Sequence, residues 1–108
     1  MSALASRTCR PQEGGLPVEA AQAAAWLAEL DGWQIEAGRL AKTFAFPDHY
    51  ATLAFVNALA WVSHRQDHHP DLSVGYNTCR VAYLTHAVGG LSENDFICAA
   101  KVDRLFTL

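Results

Sequence analysis

Pro47-Asp48, then HYATLAFVNALAWVSHRQ from His49 to Gln66, then Asp67-His68-His69-Pro70: this stretch decides how the chain folds. Phe55, Leu59 and Val62 recur at helical spacing with Ala51 and Ala58 beside them, so residues 49–66 predict a helix with one apolar face. Asp48 precedes that face as an N-cap whose carboxylate can accept a backbone N–H of the first turn. Pro70 pushes His69 away from helical angles, so the helix must finish before the double histidine. His64 then falls on the last helical turn, while His68 and His69 lie on the exit loop.

Each flank of this helix reads as a hairpin. Upstream, Trp33 to Ile35, a turn at Ala37-Gly38 and Leu40 to Phe46 form a strand pair. Leu40, Lys42, Phe44 and Phe46 share one side, and Ala41, Thr43 and Ala45 share the other; Lys42 interrupts the alternation. Pro47 stops the second strand. Downstream, Leu72, Val74 and Tyr76 alternate with Ser73, Gly75 and Asn77, Asn77-Thr78 supplies a turn, and Cys79 to His86 forms the partner strand, with His86 at its end.

Two further helices complete the order. Pro17 opens Val18 to Leu30, a run of strong helix formers in which Trp26, Leu27 and Leu30 face the core, and Asp31-Gly32 ends it. Ser92-Glu93-Asn94-Asp95 has the spacing of a capping box, Asp95 standing in for the usual glutamate, and Phe96, Ala99, Val102 and Phe106 carry the core stripe of the terminal helix. The order is α-β-β-α-β-β-α. Short hairpins make the sheet antiparallel with helices on one face, an α+β fold. Residues 16–108 are expected to be a single domain and residues 1–15, which have turn formers and no periodicity, a flexible tail.

Composition narrows the function. With 108 residues there is one core, and 51% hydrophobic against 18% charged residues marks a globular chain. A net charge of −3 argues against nucleic acid, which needs a basic surface to displace counterions. Cys9, Cys79 and Cys98 stand far apart, which suggests neither a disulfide framework nor a thiolate zinc site, so reduced thiols in the cytoplasm are expected. The N-terminus lacks the apolar core of a secretory signal. Tyr50 to Val62 is too short and too interrupted to span a membrane.

Three of the five histidines fall within residues 64–70, and His86 follows sixteen positions after Pro70. Histidine exchanges protons near neutral pH, which makes this cluster the candidate for acid–base chemistry or a metal. His64 and His68, four apart, could chelate a metal with His69 as a third ligand. Pro70 frays the helix there, however, and no thiolate or well-placed supporting acid beyond Asp67 is evident, so a metal is not favoured. His49 reads as a solvated helix residue, and His86 could satisfy a carbonyl at a strand end. The adjacent pair His68-His69 adds little to packing and repels when both rings are charged, which favours function. The cysteines show no activating neighbour in sequence, and Gly89-Gly90 lacks the surroundings of a phosphate loop.

Taken together, His64, His68-His69-Pro70, Tyr76, His86 and Asp95 closely resemble the signature of the pterin-4a-carbinolamine dehydratases. The similarity runs through Gly32-Trp33, Phe44-Ala45-Phe46, Thr85-His86 and Gly90-Leu91-Ser92, from about residue 17 to the C-terminus. It implies a four-stranded antiparallel sheet with three helices on one face, assembled as a homodimer or homotetramer. The implied reaction is loss of water from 4a-hydroxytetrahydropterin to give quinonoid dihydropterin, in tetrahydropterin recycling after aromatic amino-acid hydroxylation, with no metal or other cofactor. By the same resemblance His68 and His86 are the acid–base pair and His69 binds and orients the pterin. Asp67, Pro70 and Thr85 line the pocket, and Asp95 either orients His86 or caps its helix. Many members carry glutamate where this chain has His64, so an altered pH profile is expected. Animal members also act as dimerisation cofactors for a homeodomain transcription factor, and related proteins serve molybdopterin enzymes. A protein-binding module and a molybdopterin accessory are therefore the alternatives.

Overall fold

In a computed structural model, residues 3–12 and 14–106 are described. The helix at the centre of the sequence, here α2, runs His49–Gln66. Asp48 caps it as expected, its side chain accepting from Ala51 N at 2.8 Å. Phe55, Leu59 and Val62 are buried together with Thr52 and Ser63. The chain leaves the helix at Asp67, which adopts the left-handed conformation (φ 50°, ψ 46°), a turn that brings His68 N back to the Ser63 carbonyl at 3.2 Å.

The two predicted hairpins are β1 (Gln34–Glu36) with β2 (Arg39–Ala45), and β3 (Asp71–Val74) with β4 (Thr78–Tyr83). They join into one antiparallel sheet of order β1-β2-β4-β3. Ala37 and Gly38 both have positive φ, as a two-residue hairpin turn demands. Cross-strand rows put Ile35, Leu40 and Tyr83, then Lys42, Val81 and Leu72, then Phe44, Cys79 and Val74, on the face that the helices cover. Lys42 interrupts the apolar pattern because its ammonium has partners: Nζ donates to the Asp31 carbonyl and to Asp103, and lies 4.8 Å from the centre of the Phe44 ring. The opposite face carries the Arg39–Asp71 and Arg80–Glu36 ion pairs.

The remaining helices are α1 (Ala20–Leu27) and α3 (Glu93–Asp103). Phe96, Ile97, Ala99 and Val102 of α3 are fully or almost fully buried, and Trp26 of α1 packs on Phe96 with ring centroids 5.4 Å apart. Thus three helices and a four-stranded antiparallel sheet follow one another in the predicted order, an α+β fold. No helix among the described residues is long and apolar enough to cross a membrane.

Four local expectations change. The first helix is shorter than Val18 to Leu30: Val18 N is taken by the Leu91 carbonyl, and Glu29 and Leu30 wind into i→i−3 turns before Gly32 reaches φ 81°. The third strand ends at Val74, because Gly75 N turns back to the Thr78 carbonyl; Tyr76 is exposed and stacks on His49. The fourth strand stops at Tyr83, so His86 opens a 3-10 turn (His86–Val88) instead of ending a strand. Phe106 lies past the end of α3, in a 3-10 turn, yet still stacks on Phe44 and Phe55.

Of the stretch 1–15 expected to be a flexible tail, residues 1, 2 and 13 lie outside the described residues, and residues 3–12 make specific contacts. A 3-10 turn at Ala3–Ser6 puts Leu4 in the core with no exposed surface. Arg7 pairs with Glu93, and Lys101 Nζ donates to the Ala5 carbonyl. Arg10 N donates to Asn94 Oδ1 at 3.0 Å while Asn94 Nδ2 donates to the Arg10 carbonyl at 2.6 Å. Residues 3–12 are a strap across α3. No periodicity announces it, because its contacts are made singly and mostly with residues more than 80 positions away.

Candidate active site

Three elements meet over the end of α2: the Asp67–Pro70 exit turn, the Leu84–Ala87 segment after β4, and residues 9–12 of the strap. They enclose a cavity of about 740 Å³, within the range that holds a small organic ligand. Asp67, His68, His69, Pro70, Thr85 and His86 all line it, so the structure brings together six of the eight residues singled out from sequence.

Asp95 stands behind the cavity and shapes it. It has no exposed surface, and its two oxygens accept three hydrogen bonds. His68 Nε2 donates to Oδ1 at 2.6 Å, while Thr85 Oγ1 at 2.8 Å and Ser92 N at 2.9 Å donate to Oδ2. The Ser92 bond is half of the predicted capping box, which is present. Ser92 Oγ accepts from Asn94 N, and its own proton goes to Thr85 Oγ1 at 2.7 Å, so every polar group of this buried chain is paired. Asp95 therefore caps α3 and orients a histidine at once. That histidine is His68 rather than His86, which changes the expected pairing: His86 sits exposed on its 3-10 turn, and its imidazole makes no hydrogen bond among the described residues.

The dyad fixes the chemistry of His68. A carboxylate only accepts, so Nε2 carries a proton and Nδ1, without a partner among the described residues, is left for a ligand. The ring lies flat against Tyr83, centroids 5.7 Å apart and planes within 7°. Burial opposes protonation of His68 and is the largest single influence. The hydrogen bond and charge of Asp95, helped by Cys9 and Asp67, outweigh it and hold the imidazole above its ordinary pKa. His68 is thus a protonated donor over a wider range than a free imidazole. His69 and His86 are exposed at the same cavity and can exchange protons with a ligand or with water.

His64 is not part of this arrangement. Its side chain is exposed, packs near the Trp61 ring at 6.2 Å, and neither lines the cavity nor figures among the groups that act on His68. Of the two supporting residues expected from the sequence, Asp95 therefore touches His68 and His64 does not. Among the described residues no three His, Cys, Asp or Glu side chains converge as metal ligands. His49 is also placed, its Nδ1 2.9 Å from the Tyr76 carbonyl.

Sequence reasoning missed the strap wall of Cys9, Arg10, Pro11 and Gln12, and with it Asn94, which holds the strap in place. Cys9 N donates to Gln66 Oε1 at 2.9 Å, so the wall is tied to the last residue of α2 as well. Leu4 and Cys9, two apolar positions in a polar stretch, were the only trace of it in the sequence.

Residues 16–105 match the family model described as pterin 4 alpha carbinolamine dehydratase. A Nitrosomonas europaea protein named "Putative pterin-4-alpha-carbinolamine dehydratase" is 60% identical over 105 residues, covering 95% of this chain and 93% of its own length. One from Xanthomonas campestris pv. campestris with the same name is 56% identical over 101 residues, covering 91% and 86%. A crystal structure described as a transcriptional coactivator/pterin dehydratase from Brucella melitensis is 30% identical. It aligns with a TM-score of 0.78 over 82% of this chain and 97% of that one. A pterin dehydratase-like protein identified as a RuBisCO assembly factor in the alpha-carboxysome aligns with a TM-score of 0.56 at 31% identity, over 68% of this chain and 84% of that one. The chain belongs to the pterin 4 alpha carbinolamine dehydratase family.

Proposed function

We propose that this chain dehydrates 4a-hydroxytetrahydropterin to quinonoid dihydropterin, as a hydro-lyase of tetrahydropterin recycling after aromatic amino-acid hydroxylation. The observation that carries the reading is the buried Asp95–His68 dyad at a cavity that His69 and His86 also line. The reaction needs two proton transfers. A proton goes to the C4a hydroxyl, the C4a–O bond breaks with release of water, the N5 lone pair forms the C4a=N5 bond, and the N5 proton is taken up by a base. His68, held above its ordinary pKa by Asp95, suits the donor. His86, exposed at the cavity, suits the base, and His69 binds and orients the pterin together with Asp67, Pro70 and Thr85. The chemistry calls for no metal.

The reading includes a cytoplasmic setting, supported by three free thiols, and a homodimer or homotetramer. Tyr50, Leu53 and Trp61, 43–85% exposed on one helix, support self-association through α2. The same surface supports a second reading as a protein-binding module, in line with the assembly-factor neighbour. The two separate in one experiment. His69→Ala and His86→Ala alter exposed cavity residues, so both should fold as wild type; each is expected to lower dehydration at least about 100-fold. A protein whose role is binding alone would show no dehydration to lose.

A further inference from the structure

The strap brings a thiol to the wall of the cavity, and a second thiol lies behind it. Cys9 Sγ stands 3.5 Å from Cys98 Sγ, joining segments 89 residues apart, and 3.7 Å from the Asn94 carbonyl oxygen. The reaction proposed above uses neither sulfur. Cys9 is half-buried and lines the cavity; Cys98 has no exposed surface within α3.

Their environments make them unequal. The hydrogen bond donated by the Cys98 thiol lowers the pKa of Cys9, burial opposes this, and the charges of His68 and Lys101 add to the lowering. Cys98 is pushed up by the same bond and by burial. The thiolate is the nucleophile in thiol chemistry, so Cys9 reacts first, from the side where solutes enter. Cys79 differs from both: it is buried within β4, away from the cavity, and desolvation raises its pKa.

We propose that Cys9 and Cys98 form an oxidisable pair, in which hydrogen peroxide entering the cavity oxidises Cys9 and Cys98 then closes a disulfide that fastens the N-terminal strap to α3. The Cys9 thiolate attacks one peroxide oxygen, the O–O bond breaks, and the hydroxide released takes up a proton to leave as water. Cys9 is then a sulfenic acid. The Cys98 sulfur attacks the Cys9 sulfur, the S–O bond breaks, and a second water leaves with the Cys98 proton. Two thiols have lost two electrons and one peroxide has become two waters. The sulfurs must close from 3.5 Å to about 2.05 Å. That displacement is of the size a side-chain rotation supplies. The strap is anchored to Gln66 and Asn94 by the backbone N–H groups of Cys9 and Arg10, so closure requires the Cys9 side chain to give up only its weak contact with the Asn94 carbonyl. The disulfide makes a wall of the cavity permanent, and this holds whether or not the substrate is a pterin.

Peroxide treatment of the whole protein, alkylation of the remaining thiols after denaturation, and mass spectrometry of the digest test it. Expected are loss of two of the three thiols, a Cys9–Cys98 cross-linked peptide that dithiothreitol reverses, and alkylated Cys79. Cys98→Ser should stop at a Cys9 sulfenic acid that dimedone traps. Should that variant not fold, hydrogen exchange on the wild type gives a second reading: amides of residues 3–12 should exchange more slowly after oxidation. A Cys9 sulfinic acid beside a free Cys98, a cross-link through Cys79 or to a second chain, or unchanged exchange at the strap would overturn the proposal.

Discussion

Replacing Asp95 by Asn keeps the size of the side chain and removes its charge, at a position where every bond is accounted for. The Asn carbonyl can still accept from Thr85 and from Ser92 N, which turns its amide toward His68 Nε2. Two donors then meet, so neutral His68 must move its proton to Nδ1, the nitrogen otherwise left for the ligand, and the support for the imidazolium is gone. A hydrogen bond to a charged group is worth about 1.5–3 kcal/mol. If that support is fully used when His68 delivers its proton, kcat/KM should fall about 10- to 150-fold. The alkaline limb of the rate profile should also move to lower pH, because the group that holds His68 protonated has been lost. Stability should follow with a definite sign. His68 has a folded pKa above its unfolded value of about 6.5, so the added stabilisation of its charged ring by Asp95 is fully present below that value and is lost as pH rises through the folded one. The stability gap between wild type and Asp95→Asn should therefore narrow as pH rises above about 6.5. Steady-state dehydration from pH 5.5 to 9 and urea unfolding at both ends of that range measure these effects. A variant with wild-type rate, an unmoved alkaline limb and a pH-independent stability gap would refute the role given to the dyad.

Other substitutions probe separate parts of the structure. Leu4→Ala should cost about 2–4 kcal/mol in chemical unfolding, as for any fully buried leucine; no loss would mean that the strap contributes nothing to the fold. Ala37→Asn should stabilise the first hairpin by about 0.5–1 kcal/mol, since Ala37 has φ 49° and asparagine tolerates that conformation better. A decrease in thermal midpoint would contradict that reading of the turn. His64→Glu should leave kcat/KM and its pH dependence as in wild type, because the exposed His64 side chain lies off the cavity. A shifted profile would restore the supporting role expected from the sequence.

What the sequence made legible was local. Pro47, Asp48 and Pro70 bound α2 so closely that both ends could be read off, and Ala37-Gly38 and Ser92-to-Asp95 signalled a hairpin and a cap through chemistry confined to a few residues. The grouping of His68, His69 and His86 came from the family resemblance, and all three line one cavity. What stayed hidden depends on contacts between distant elements. Asp95 reaches His68 across 27 positions because the helix it caps starts beside the turn that ends α2. Asp67 closes α2 in a left-handed conformation usually left to glycine, which no residue type announced. His86 could be placed on a strand by alternation alone, but the strand pairing runs out at Tyr83 and the Thr85–Gly90 bridge pinches the chain into a turn. The strap is the extreme case. Its one core residue, Leu4, has no periodic neighbours to reveal it.

The most direct test of the account is a spectrophotometric assay of 4a-hydroxytetrahydropterin dehydration with wild-type protein and with His68→Ala. The account predicts rapid formation of quinonoid dihydropterin by the wild type and a loss of at least about 100-fold in the variant. Wild-type protein that leaves the spontaneous rate unchanged, or a His68→Ala variant as fast as wild type, would contradict it.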